Sequence, residues 1–190
     1  MSLLLTETRD QALLAMVVQA AHNAVRKRGG FVGRTAVQKI VYFLQVGGVQ
    51  MNYRFKMYHY GPFCKELLDD IDWLLADEVL KDESSRQEKY SNYVPGEQIQ
   101  ELLSLHDEYL KKHRKAIEGI VEALAPLRPE RMEEIATLYY VFRQQKAKVE
   151  GEPTKEAVVS AFVGIKSEKF PRSDVETLYD VMSKAGMLCI

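Results

Sequence analysis

Side chains able to move a proton or hold a metal are few in this chain, and their spacing suits neither task. Tyr58-His59-Tyr60 combines three groups capable of acid–base work. The alternation around them places His59 on the same strand face as Phe55 and Met57, and no carboxylate lies nearby in sequence to orient the ring. A core histidine is therefore expected. His106 and His113 share a helix face, but two turns separate them by about 10 Å, too far for one metal. Cys64 stands at the start of a helix, where the dipole would favour a thiolate; a buried structural cysteine is the simpler reading. There is no phosphate-cradling glycine loop, zinc-ligand spacing or nucleophile elbow. The residues thus imply no catalytic set and no cofactor, and they direct attention to binding.

Charge is the stronger signal. The net charge of −1 conceals a segregation of signs. From Gln11 to Lys65 there is no Asp or Glu, while Arg26, Lys27, Arg28, Arg34, Lys39, Arg54, Lys56 and Lys65 give +8. From Glu66 to Ile190, 17 Lys or Arg stand against 25 Asp or Glu. Segregation of this kind shapes association more than fold. Two candidate surfaces follow. Glu66, Asp69, Asp70 and Asp72, with Asp77 and Glu78 beyond them, line the water-facing side of a helix in the position of a recognition helix. Duplex phosphates carry a charge per ~1.7 Å and would repel such a helix, so contact with a basic protein surface suits it better. Arg26, Lys27, Arg28, Arg34 and Lys39 form the alternative, a nucleic-acid surface on the first two helices in helix-turn-helix fashion. Aromatic residues for stacking on bases are not interleaved there, and Tyr42 and Phe43 read as core. Cations at the end of the first helix also suit its dipole without any ligand.

The elements that must position these groups are mostly helical. Thr8 with Gln11 fits a capping box ahead of Leu13, Leu14, Val17, Val18, Ala21 and Val25, and Gly29-Gly30 ends that helix. A second helix spans about Arg34 to Val46, its apolar run from Ile40 to Leu44 implying burial on several sides. Tyr53 to Tyr60 alternates as a strand, and Gly61-Pro62 turns into a third helix with Pro62 in its first turn. Val79–Lys81 and Lys89–Val94 read as two short strands of a wing. After Pro95-Gly96 the pattern is helical: one long helix from Ile99 to Leu124, one starting near Pro129 with Glu130, Glu133 and Glu134 in its first turn, one opened by Thr154, and one capped by Ser173 with Glu176. The expected fold class is mostly α (α+β): a winged-helix-like module over residues 1–96 with a small β-hairpin wing, and a helical region over 97–190 packed against it.

Val37-Gln38-Lys39-Ile40-Val41-Tyr42, followed by Tyr58-His59-Tyr60-Gly61-Pro62-Phe63 and Glu66-Leu67, resembles the YwgA-like bacterial proteins. These are related in pattern to the Panacea antitoxin domain, with its Leu-Gln-Lys helix and downstream Tyr-Gly-Pro. Glu134-Ile135-Ala136-Thr137-Leu138-Tyr139-Tyr140 is similar to that family's Ala-Thr-Ile-Tyr helix, and Ile165-Lys166 also fits. The resemblance covers most of the chain. Val37 stands where the family has Leu, and Cys64 and the wing loop match no part of the pattern. What the resemblance implies is a winged-helix-like fold, no catalytic residues and, for Panacea antitoxins, neutralisation of a toxin by protein contact.

With 190 residues the chain can bury a core as one large domain or two small ones. No stretch approaches the ~18 consecutive apolar residues of a membrane span, and the N-terminus lacks a secretory pattern. Two cysteines fit a reducing cytosol. The sequence therefore predicts a cytoplasmic, non-enzymatic binding module. A protein partner, such as a toxin, is favoured over nucleic acid; no membrane is involved, and a homo-oligomer is compatible with the pattern.

Overall fold

A computed structural model describes residues 3–85, 90–166 and 168–188 of the protein. The order is α1 (Arg9–Val25), α2 (Arg34–Val46), β1 (Lys56–Tyr58), β2 (Gly61–Phe63), α3 (Lys65–Ala76), β3 (Leu80–Asp82), β4 (Tyr93–Pro95), α4 (Ile99–Leu105), α5 (Asp107–Leu124), α6 (Pro129–Lys146), α7 (Lys155–Lys166) and α8 (Arg172–Lys184). The fold is mostly α, and the β structure lies in two antiparallel hairpins, β1–β2 and β3–β4. This is the α+β class that the sequence predicts.

Helix α1 begins with the expected reciprocal cap. The Gln11 N–H donates to Thr8 Oγ1, and the Gln11 side chain accepts from the Thr8 N–H. Its Leu13, Leu14, Val17, Val18 and Ala21 are fully buried, because α2, α3, α4 and α5 all pack on it. Helix α2 likewise touches α1, α5 and α6. Tyr42 and Phe43 are core residues, as expected. Tyr42 meets Phe55 edge-on at 5.3 Å, and Phe43 meets Tyr139 of α6 at 5.5 Å. Elements before and after Gly96 therefore share one core. At the joint itself a Cβ on Gly96 would lie 2.1 Å from the Glu78 carbonyl oxygen, so only glycine permits this approach.

Several local expectations are corrected. The alternating segment is not one strand: only Lys56–Tyr58 pairs, and His59 and Tyr60 form a turn from which β2 returns. Pro62 faces Met57 across that hairpin instead of opening α3, and a two-stranded ribbon leaves its missing N–H without cost. Turning two residues early also carries His59 out of the core to an exposed position, where its ring sits 4.5 Å from Tyr58. The expected strands Val79–Lys81 and Lys89–Val94 are replaced by a shorter hairpin, Leu80–Asp82 with Tyr93–Pro95, in register Lys81↔Val94; Lys89 lies outside the described residues. The long helix breaks between α4 and α5 at His106, whose backbone leaves helical geometry (φ −122°, ψ 20°) and whose Nε2 bonds the Glu7 carbonyl at 2.9 Å. Ser173 does not cap α8: it lies inside the helix beyond Pro171, and Glu176 pairs with Arg172 instead.

Gly61 shows why the hairpin tolerates so little change. Its φ is +82°, and a Cβ there would meet Thr137 Oγ1 at 2.7 Å and Lys39 Cε at 3.5 Å. Gly61→Ala should therefore lower stability by about 2 kcal/mol through left-handed strain and steric overlap. Adding Thr137→Ala should restore part of the loss by removing the overlap alone. Urea unfolding of the single and double variants checks both outcomes.

Candidate binding surfaces

The Gln38-Lys39 pair of α2 holds the hairpin from beneath. Gln38 Nε2 donates to the Cys64 carbonyl at 2.8 Å, and Gln38 Oε1 accepts from the Cys64 N–H at 2.9 Å. Lys39 Nζ donates to the Pro62 carbonyl at 2.8 Å. Lys39 is 2% exposed, so it is not part of a solvated basic face with Arg26, Lys27 and Arg28 as the sequence suggested. Burial lowers its ammonium pKa to about 7; the nearby Glu133 carboxylate opposes the shift and Lys166 adds to it.

Glu133, expected only as a first-turn charge favourable to the dipole of α6, is also 2% exposed. It accepts from Lys166 at 2.9 Å and from Lys169 at 2.6 Å. Lys166 reaches on to the His59 carbonyl, tying α7 to the hairpin turn. This network was not legible in the sequence, because helical spacing cannot tell a capping carboxylate from one that a later lysine covers. The Gln-Lys and Tyr-Gly-Pro pairing, already conspicuous as a pattern, was the available signal for the clamp.

The acidic candidates on α3 divide into two kinds. Asp70 is spent internally, accepting from the Tyr53 hydroxyl at 2.8 Å and from Gln11 Nε2 at 3.0 Å. Burial and this carboxylate together hold the Tyr53 phenol far above its usual range. Asp77 is likewise occupied, accepting the N–H groups of Leu4, Leu5 and Thr6. Glu66, Asp69 and Asp72 are exposed. Glu66 accepts from the Cys64 thiol, and Asp69 pairs with Lys65 at 3.0 Å. Beside them Trp73, the chain's one tryptophan, is 48% exposed. Cys64 itself is buried, and burial followed by its bond to Glu66 pushes the thiol up to about 11. It is a structural cysteine and not a thiolate.

Arg26, Lys27 and Arg28 make a single exposed 3-10 turn after α1. Arg34 opens α2 and its Nε donates to the Tyr93 hydroxyl at 3.2 Å. Arg28, Arg34 and Lys39 border an open groove of about 940 Å3, whereas Arg26 and Lys27 lie outside it. The groove runs between the turn after α1, the start of α2, the β1–β2 hairpin, Ser84, Tyr90 and Ser91 beside β3 and β4, and the α5–α6 connection. No protein-family model matches this chain, and no curated protein matches it either.

The buried ammonium yields a pH signature. With its pKa lowered to about 7 from 10.5, Lys39 binds fewer protons in the native than in the unfolded state between those values. Stability contributed at this site therefore rises with pH across that window, by at most about 1.4 kcal/mol per pH unit. Denaturant titrations of the wild type and Lys39→Met should show their difference changing in the wild type's favour from neutral pH upward. A pH-independent difference would mean that the ammonium stays charged throughout.

Proposed function

We propose that the protein is a cytoplasmic, non-enzymatic binding module whose partner is another protein, of the antitoxin-like or regulatory kind implied by its resemblance to YwgA-like and Panacea sequences. The observation that carries this reading is Trp73, held half out of the surface among Glu66, Asp69 and Asp72 on a helix whose other side is buried through Leu67, Ile71 and Leu74. Tryptophan is the residue most enriched at interface hot spots, and carboxylates around it select a basic partner surface. Asp70 supports this face from within instead of touching the partner. No helix among the described residues is long and apolar enough to cross a membrane. Pull-down from the source cell should recover a stoichiometric protein partner, and Trp73→Ala should weaken the purified complex about 30-fold, roughly 2 kcal/mol. Recovery of no stoichiometric partner would overturn the reading.

A second reading, a DNA-binding regulator, is favoured by the exposed turn Arg26-Lys27-Arg28, none of which forms an ion pair among the described residues. With Arg34 it offers four cations to a duplex backbone. Affinity for duplex would then fall steeply between ~50 and ~200 mM salt. A gel shift left unchanged when all four are replaced by Ala would remove this reading.

A further inference from the structure

Five aromatic side chains are exposed among the described residues, and four of them, Phe31, Tyr58, Tyr60 and Tyr90, line the same groove. They come from three separate segments of the chain. Phe31 and Tyr90 stack on each other with centroids 4.7 Å apart, and Tyr60 lies under Lys169. Large exposed rings gathered along one groove, unlike rings scattered singly, mark an interaction surface. Between the rings stand Arg28, Arg34 and Arg128, all exposed and none in an ion pair among the described residues. Of the three acidic groups that line the groove, Glu133 is paired with two lysines, Asp82 accepts the N–H groups of Ser84 and Asn92, and Glu130 is exposed. Five basic side chains, Arg28, Arg34, Lys39, Arg128 and Lys169, stand against these three, so basic groups predominate along the groove within a chain of net charge −1. At its floor the almost fully buried Lys39 donates to the Pro62 carbonyl.

We propose that this groove binds a single-stranded segment of nucleic acid, with bases stacked on the exposed aromatics and phosphates met by Arg28, Arg34 and Arg128. Ring faces alternating with cations are the means by which proteins hold unpaired strands without reading their sequence. A duplex presents only base edges and leaves those rings unused. It would also have to pass α3, which borders the groove through Leu68 and carries Asp69 and Asp72 outward. This site is separate from the Trp73 face, so it stands or falls independently of the protein-partner reading. It shares Arg28 and Arg34 with the duplex reading, which differs in also needing Arg26 and Lys27 outside the groove.

Fluorescence anisotropy of the full chain with a labelled 15-nucleotide oligothymidylate provides the test. Saturable binding is expected, weakened at least tenfold by Tyr60→Ala, whose exposed side chain can be removed without loss of the fold. The double variant Arg28→Ala/Arg128→Ala should reduce the slope of log affinity against log salt by about 1.4, two phosphate contacts of a single strand. Lys27→Ala should bind as the wild type does. Circular dichroism and thermal melts establish that each variant is folded. Absence of saturable binding would overturn the proposal, as would tighter binding of the matching duplex, or no effect of Tyr60→Ala and the double arginine variant. Thymidine monophosphate binding as tightly as the strand, or an oligoglutamate peptide displacing it equally well, would also overturn it, reducing the groove to a mononucleotide or general anion site.

Discussion

A polar group can enter a dry interior only if its hydrogen-bonding atoms are met there, and the β1–β2 hairpin is fixed by that requirement. Two strands of three residues have little stability of their own. Here the Pro62 carbonyl is met by Lys39 of α2, the carbonyl and N–H of Cys64 by Gln38 of α2, and the His59 carbonyl by Lys166 of α7. Glu133 of α6 supplies the negative charge that makes two lysines tolerable in the same place. Removing one member would strand the others, so the hairpin's position is set by α2, α6 and α7 together.

The consequence at the surface is preorganisation. Tyr58 and Tyr60 are 57% and 64% exposed, yet the backbone that carries them is gripped from below. A ligand meeting these rings would not have to order the loop first, which is the main saving that rigid binding surfaces offer. The same frame holds Gly61 against Thr137, so the turn cannot relax without disturbing α6.

The charges of the chain serve different ends according to where folding leaves them. On α3, Asp70 joins helices and loop through Tyr53 and Gln11, while Asp69, Asp72 and Trp73 form an outward face. On the basic side, Lys39 goes to the interior and Arg28, Arg34 and Arg128 to the groove. The α3 helix that carries the acidic face thus also borders, through Leu68, the groove lined by Arg28, Arg34 and Arg128.

Local and periodic features were legible in the amino-acid order itself: the Thr8–Gln11 cap, the buried stripe of α1, the burial of α2 on several sides, the existence of the β3–β4 hairpin and the helical second half. Each depends on residues a few positions apart, so spacing alone determines it. Features that depend on which distant groups meet were not legible. The fate of His59 was decided by a hairpin that turns two residues earlier than alternation implies, the burial of Glu133 by lysines more than thirty residues downstream, and the break at His106 by a carbonyl near the N-terminus. The groove is the clearest case. Phe31, Tyr60, Tyr90 and Arg128 carry no common signal along the chain, and only long-range packing brings them to one wall, because exposure and convergence are properties of the folded surface and not of any local run of residues.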